Sequence, residues 1–399
     1  MIHLTKVTGN PHLIKKINKS LVLEMIRTQG PLSRADIAQR SGLNKGTVSS
    51  LVKELIEEEL VYEIGQGESS GGRRPVLLLF NKKAGFSIGI DLGVHYILGV
   101  LTDLQGNVIA QKRVSFQNKG YQAVLVLIKE TVLSLLEHMP KSRYGLVGIG
   151  MGVPGIVDKT GTVLFAPNLS WKDIPLKQEM EAVFHVPVVI DNEANAGAYG
   201  EKRLGAGQEF DHILYVSAGI GIGVGLVLNG ELYRGTNGFA GESGHMTIDI
   251  DGPVCRCGNK GCWELYASEQ AILEKAKQQN VVSETKEVSL ETLLSLAKQN
   301  DQKAIQLFAE IGRYLAIGIN NLLNTFNPQQ IIIGNRLSMA KQWIKPAIQQ
   351  ALSSRTLPFQ PTHLSFHFSK LSIDSTALGM ALFVIEDFLK KGEKIQVFL

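Results

Sequence analysis

The chain has 399 residues, 44% of them hydrophobic and 20% charged, with a net charge of +4. That length allows two or three domains with their own cores, and the composition excludes a disordered or fibrous chain. No apolar run approaches membrane-spanning length, and the opening MIHLTKVTGNPHLIKK has no signal-peptide core, so a cytoplasmic protein with no membrane partner is expected.

The positive charge is localised. Residues 1–83 carry 13 Lys and Arg against 8 Asp and Glu, whereas the remainder carries 28 against 29. A basic first fifth on a near-neutral body suits a nucleic-acid-facing module, although a solvated basic surface has the same balance. Ile14, Ile17, Leu21, Met25 and Ile26 recur at helical spacing and predict an amphipathic helix over 14–28, stopped by Gly30-Pro31. Ser33 and Asp36 form a capping-box pattern that opens a short second helix, and Gly42 supplies the left-handed residue that ends it. Asn44 is placed to cap a third helix with Val48, Leu51, Val52 and Leu55 on one face.

Two helices joined by a glycine-containing turn have the spacing of a helix-turn-helix. The other face of the third helix offers Lys45, Thr47, Ser50 and Lys53, short hydrogen-bonding groups for base edges and cations for phosphates, with Asn44 at its start. Two strands, Leu60–Ile64 and Val76–Phe80, flank GQGESSGGRRP, which reads as a wing whose Arg73 and Arg74 reach a minor groove. The competing reading is a three-helix packing module with a flexible hairpin. The complete helix-turn-helix-wing order and the basic excess favour double-stranded DNA as the partner.

From residue 86 the pattern becomes alternating α/β. A strand-turn-strand surrounds Asp91-Leu-Gly93-Val-His95, a helix is expected near 120–138, and a strand near 145–152 precedes Pro154-Gly155. The strand Val186–Ile190 runs into Asp191-Asn-Glu-Ala-Asn195 and an Ala/Gly-rich helix. A second strand-turn-strand around glycines starts at Ile213; helices dominate 265–327, Gln330–Ile333 is a strand, and a helix near 375–391 follows. Cys255, Cys257 and Cys262 are the only cysteines, with His245 ten residues upstream of the first. Three thiolates and an imidazole suit a closed tetrahedral Zn²⁺ site, structural because no position is left for water. Disulfide pairing fits poorly: the number is odd and Cys-X-Cys is too cramped for an unstrained bridge. Gly258 and Gly261 would let the backbone turn tightly around the ion.

Asp91-Leu-Gly93, Asp191-Asn-Glu-Ala-Asn195, the glycine run 219–225, Glu242-Ser-Gly-His245 and Cys255-Arg-Cys257-Gly-Asn-Lys-Gly-Cys262-Trp-Glu264 together resemble the ROK family of repressors, open reading frames and sugar kinases, over essentially the whole chain. An N-terminal winged helix is the mark of its repressor branch, and GLNKGTVSSLVKEL, GQGESSGGRRPV and DNEANAGAYGEK are most similar to its xylose-responsive members. The resemblance implies an α/β fold: a winged helix-turn-helix over 1–82, followed by a two-lobed actin/sugar-kinase-like (ribonuclease H-like) body with a zinc knuckle. The first lobe would comprise 83–199 plus 372–399. The second would comprise 200–371, with the knuckle and a helical oligomerisation region.

It also implies a sugar pocket lined by Asn192, Glu193, Glu242, His245 and Glu264, joined by Asn168. Where the family's kinases have Asp-X-Gly-Gly-Thr, this chain has Val94 and His95; where they have Gly-Thr-Gly, it has Ser217-Ala218-Gly219; and Glu193 replaces the catalytic aspartate. Misplacing a carboxylate by about an ångström can cost roughly a hundredfold in rate. The expectation is therefore a sensor with no ATP bound and no catalytic residue: a homodimeric or larger repressor on a palindromic operator, released by a pentose such as D-xylose. A sugar kinase with a DNA-binding head, and a DNA-binding scaffold controlled by a protein partner, are the alternatives.

Overall fold

The computed structural model describes residues 10–66, 75–117, 119–282, 288–357 and 364–391. Helix α1 (Pro11–Gln29) is capped by Asn10 and ends at Gly30. Helix α2 (Arg34–Ser41) opens on the predicted capping box, with Ser33 accepting from Asp36 N and Asp36 accepting from Ser33 N, and it closes on Gly42 at φ 71°. Helix α3 (Lys45–Glu57) follows, with Val48, Leu51, Val52 and Leu55 buried. Strands β2 (Val61–Gln66) and β3 (Val76–Phe80) form the hairpin, and β1 (Leu32–Ser33) adds a third strand along β3. Arg73 and Arg74 lie outside the described residues.

The amphipathic reading of α1 needs correction. Met25 and Ile26 are buried, but Ile14, Ile17 and Leu21 are 48%, 57% and 42% exposed. Only the C-terminal half of α1, with Val22 and Leu23, enters the core. Periodicity identified an apolar stripe; the fold covers just part of it.

The body contains two five-stranded sheets of one topology. The first runs β11-β7-β4-β5-β6, built from β4 (Phe86–Leu92), β5 (Tyr96–Asp103), β6 (Val108–Ser115), β7 (Leu146–Val153) and β11 (Val188–Asn192). The second runs β14-β13-β12-β15-β16, built from β12 (Ile213–Ala218), β13 (Ile222–Leu228), β14 (Glu231–Tyr233), β15 (Gln330–Gly334) and β16 (Ser365–Phe368). In both, three antiparallel strands are followed by two parallel ones. Each strand-turn-strand read from the sequence forms the start of one sheet. Helix α4 (Tyr121–Leu136), a small sheet of β8 (Ile156–Val157), β9 (Val163–Ala166) and β10 (Trp171–Ile174), and α5 (Leu176–Phe184) complete the first lobe.

Helices α6 (Glu193–Leu204) and α12 (Ser375–Lys391) cross between the sheets, α6 against β12 and β13, and α12 against β4 and β7. Their backbones approach closely because Gly379 has no side chain: a Cβ there would lie 1.8 Å from the Ala196 carbonyl oxygen. Glu201 of α6 is fully buried and accepts from Leu371 N at 3.1 Å and Ser375 Oγ at 3.0 Å, which fixes the return segment from the second lobe to α12. Helices α7 (Glu264–Ala267), α8 (Glu269–Gln278), α9 (Leu290–Lys298), α10 (Gln302–Phe326) and α11 (Lys341–Arg355) surround the second sheet. The head is packed onto the body: Val22, Met25 and Ile26 of α1 share one apolar cluster with Leu382, Ile385 and Phe388 of α12. The Tyr144 hydroxyl also donates to the Glu58 carbonyl at 2.9 Å.

Candidate effector cleft, metal cluster and DNA-facing helix

The two strand-turn-strand units point their turns at a cleft between the lobes. A cavity of about 290 Å³ there is lined by Asn168, Asn192, Glu193, Glu242, His245 and Glu264, so the structure brings all six predicted pocket residues together. A larger cavity of about 580 Å³ adjoins it beside α8 and α9. Arg336, common to both, is already held by Glu269 at 2.7 Å and Glu291 at 3.0 Å. Both cavities carry carboxylates and amides, the groups that sugar hydroxyls need. In the larger one Glu269 and Glu291 are paired with Arg336, whereas Glu193, Glu242 and Glu264 converge on the smaller.

Local structure decides what each residue has left to offer. Asn192 is the N-cap of α6: its Oδ1 accepts from Ala194 N at 2.8 Å and its Nδ2 donates to the Gly155 carbonyl at 3.1 Å. Its first role is therefore to aim Glu193 into the cleft. Asn168 accepts from Arg256 Nη1 at 2.8 Å, a contact from the cysteine-rich loop of the second lobe to the first. Glu193 is held to α12 through its carbonyl, which accepts from Thr376. Its carboxyl is pushed up to about 8 by burial and then by Asp91, Glu242 and Glu264. Burial likewise raises Glu242, against the opposing pull of His245.

Asp91 has a partner that the sequence did not announce. The buried Tyr96 hydroxyl donates to Asp91 Oδ2 at 2.7 Å, and the guanidinium of Arg113 lies 4.9 Å from the centre of the Tyr96 ring. Burial raises the Asp91 carboxyl to about 7 despite that hydrogen bond. Near the end of β12, before the second turn, Ser217 Oγ accepts from Asn335 Nδ2 at 3.0 Å and so faces a side chain. Val94 lines the cavity, and His95 is turned into the neighbouring one.

Behind the cleft, His245, Cys255, Cys257 and Cys262 place their donor atoms within 4.8 Å of one another. Cys257 and Cys262 sulfurs are 3.7 Å apart, and His245 Nδ1 is 3.7 Å from the Cys255 sulfur. A tetrahedral ion with metal–sulfur bonds of about 2.3 Å requires sulfurs about 3.8 Å apart, so the four donors fit one four-coordinate ion. Gly258 and Gly261, at φ 92° and 63°, make the tight turns expected of them. Burial pushes the Cys255 and Cys262 thiols up, whereas a bound cation favours the thiolates that ligate it. Glu264 Oε1 lies 3.3 Å from His245 Nδ1 and 3.1 Å from the Cys255 sulfur, so this acid belongs to both cleft and cluster. Trp263, fully buried, anchors the loop on α10 by donating Nε1 to the Tyr314 carbonyl at 2.9 Å.

On the head, Lys45, Ser50 and Lys53 are exposed along α3, Ser49 shares that face, and Thr47 is half-buried. Asn44 accepts from Thr47 N at 2.8 Å and so works as the helix cap. Lys53 meets Glu57 only at 3.8 Å, with both side chains largely exposed, a pairing that phosphate would readily replace. Tyr96, Arg256 and Ser49 were missed by sequence reasoning. Arg256 carried a signal, since it lies between two cysteines of the expected metal cluster; Tyr96 carried none, lying in a strand that reads as core.

The family model described as the ROK family matches residues 87–387, and that of the MarR family matches residues 16–74. A xylose repressor of Bacillus spizizenii is 47% identical over 376 residues, 94% of this chain and 97% of that protein. The crystal structure of a ROK family transcriptional regulator, homologous to the Escherichia coli MLC protein, superposes with a TM-score of 0.81 at 30% identity, covering 96% of this chain and all of the other. A ROK family glucokinase from Streptomyces griseus, in complex with glucose and AMPPNP, is similar over 74% of this chain and 98% of its own, with a TM-score of 0.69 and 30% identity. With its two like-folded lobes, its cysteine-rich loop behind the cleft and a MarR-like helix-turn-helix in front, this chain belongs to the ROK family.

Proposed function

We propose that this protein is a sugar-responsive transcriptional repressor. Its head holds a palindromic operator as a homodimer or larger assembly, and a pentose, D-xylose, taken up between the lobes releases it. The observation that carries the reading is the convergence of Asn168, Glu193, Glu242, His245 and Glu264 on one cleft of a body joined to a helix-turn-helix head. The name of the xylose repressor that this chain resembles supports the choice of sugar.

In this reading the carboxylates accept from sugar hydroxyls, Asn192 aims Glu193, and Asn168 with Arg256 closes the mouth. Zn²⁺ is the ion the donor set suits best, held by His245, Cys255, Cys257 and Cys262. It would supply a rigid link between Glu242 and Glu264, leaving His245 Nε2 free for the ligand. Lys45 and Lys53 take phosphates, while Thr47 and Ser50 take base edges, with Ser49 beside them. Val94, at the cavity wall where the family's kinases have a glycine, weighs against phosphotransfer.

The second reading is an ATP-dependent sugar kinase with a regulatory head. The favouring observation is Glu193 itself, a buried carboxyl with a raised pKa at the general-base position. Calorimetry of the full chain, zinc-loaded, against pentoses and hexoses, run beside a coupled ADP-release assay, separates the two. Saturable D-xylose binding without turnover is the expected result. Sustained ADP release that Glu193→Gln abolishes establishes the kinase, and no binding by any sugar removes the sensor.

A further inference from the structure

Arg234 follows β14 in the second lobe and reaches out of it. Its Nε and Nη2 both lie 2.8 Å from Asp191 Oδ2, at the end of β11 in the first lobe. The other oxygen of Asp191 accepts from Asn192 N at 2.7 Å and from Asn195 Nδ2 at 3.1 Å. One carboxylate thus sets the start of α6, and with it Glu193, while holding a side chain from the opposite lobe.

The same guanidinium lies over the Phe383 ring of α12, 4.8 Å from its centre. Phe383 stacks on Tyr199 of α6, with centroids 4.4 Å apart and planes 24° from parallel. The Tyr199 hydroxyl accepts from Arg203 Nε at 3.1 Å, and Arg203 pairs with Glu386, one turn along α12 from Phe383. Around these rings, Leu382 and Ile385 belong to the apolar cluster that receives Leu23, Met25 and Ile26 of α1. Continuous contact therefore runs from the acid beside the cleft, through Arg234 and Phe383, to the helix on which the head is seated.

An exposed ion pair adds little to stability. This one joins two bodies whose separation is the variable in lobe closure, and its cation also rests on the helix that carries the head. Resting on the cleft being the effector site, we propose that Arg234 is a positioning residue that passes the state of the cleft to the DNA-binding head, through Asp191 on one side and Phe383 of α12 on the other. Closure over a sugar shifts β14 against β11, moves the guanidinium on the Phe383 ring, and so changes how α12 presents its apolar face to α1.

Contact does not by itself measure coupling, so the test is a mutant cycle in the full, zinc-loaded chain. Arg234→Gln, Arg234→Lys, Phe383→Leu and the Arg234→Gln/Phe383→Leu pair are compared with wild type. Sugar affinity is read by calorimetry, operator affinity with and without D-xylose by anisotropy, and amide exchange in α1 and α12 by mass spectrometry. Arg234→Gln should keep sugar affinity and sugar-free operator affinity within about threefold, yet shrink the release ratio by roughly tenfold or more, a typical allosteric coupling. Lys keeps the charge but loses the planar stack, so it should fall between. The pair should lose no more than the worse single change, and α1 exchange should differ from wild type even without sugar. A full release ratio in Arg234→Gln together with unchanged α1 exchange overturns the proposal. If no sugar releases wild type, it is the repressor reading that fails, and the sugar-free exchange comparison still decides the role of Arg234.

Discussion

Glu193 is a carboxyl whose protonation depends on where the chain puts it. Burial beside Asp91, Glu242 and Glu264 raises it from 4.5 to about 8, and Asp91 is raised to about 7. An acid with a raised folded-state pKa binds more protons in the native state than in the unfolded state. Its stabilisation is therefore complete below the unfolded value and is lost as pH climbs through the folded one. The thermal midpoint of sugar-free protein should fall between about pH 5 and about pH 8, and Glu193→Gln should flatten part of that slope, Asp91 keeping the rest. Equal slopes in the two proteins would show that Glu193 is ionised in the fold. At the cluster, Cys257→Ser should abolish stoichiometric metal in elemental analysis and lower both stability and sugar response. Wild type purified without near-stoichiometric zinc would remove the metal from the reading. The clustering of these side chains was legible because three cysteines within eight residues have few other uses. Arg256 was not, because its partner Asn168 lies across the cleft; Tyr96 was not, because it sits in a strand that reads as core although it pairs with Asp91 of the adjacent strand.

At the scale of elements, caps and turns were read most directly. Ser33, Asp36, Gly42 and Asn44 occupy the helix-end positions their chemistry favours, since those preferences depend on neighbours in sequence. Helix α1 shows the limit: a stripe at 3.6-residue spacing is visible in sequence, whereas its cover at Met25 and its exposure at Ile17 are decided by α12, some 350 residues away in sequence. Strands β1 and β16, and helices α5 and α11, went unread for the same reason. On α3, Asn44→Ala should cost about 1 kcal/mol in denaturant unfolding while Asn44→Ser costs little, as expected of a cap. A matching loss in both would assign the residue to something other than capping. Lys53→Ala should weaken binding to specific and random duplexes alike and lower the salt slope by about 1, whereas changing Thr47 should alter sequence preference. Equal effects of both changes on every duplex would reverse these roles. Trp263→Ala, emptying the fully buried anchor between loop and α10, should cost about 3–5 kcal/mol and loosen the metal cluster.

In the whole molecule, two sheets of the same topology enclose a cleft, and α12 is shared between the first lobe and the head. The repeat was legible because each half opens with the same glycine-punctuated strand-turn-strand. The seating of the head on α12 was not, since it joins residues from opposite ends of the chain. In the proposed function, that seating is the mechanical route by which an occupied cleft acts on DNA without any chemistry on the sugar. A hundredfold release requires about 2.7 kcal/mol of coupling, within the range of known allosteric proteins. Fluorescence anisotropy of the full, zinc-loaded chain on its operator, titrated with and without saturating D-xylose, reads that coupling directly. Affinity should drop by roughly two orders of magnitude with the sugar present and recover on its removal. Tight operator binding that no pentose or hexose changes would contradict the link between cleft and head, and failure to bind duplex DNA at all would remove its starting point.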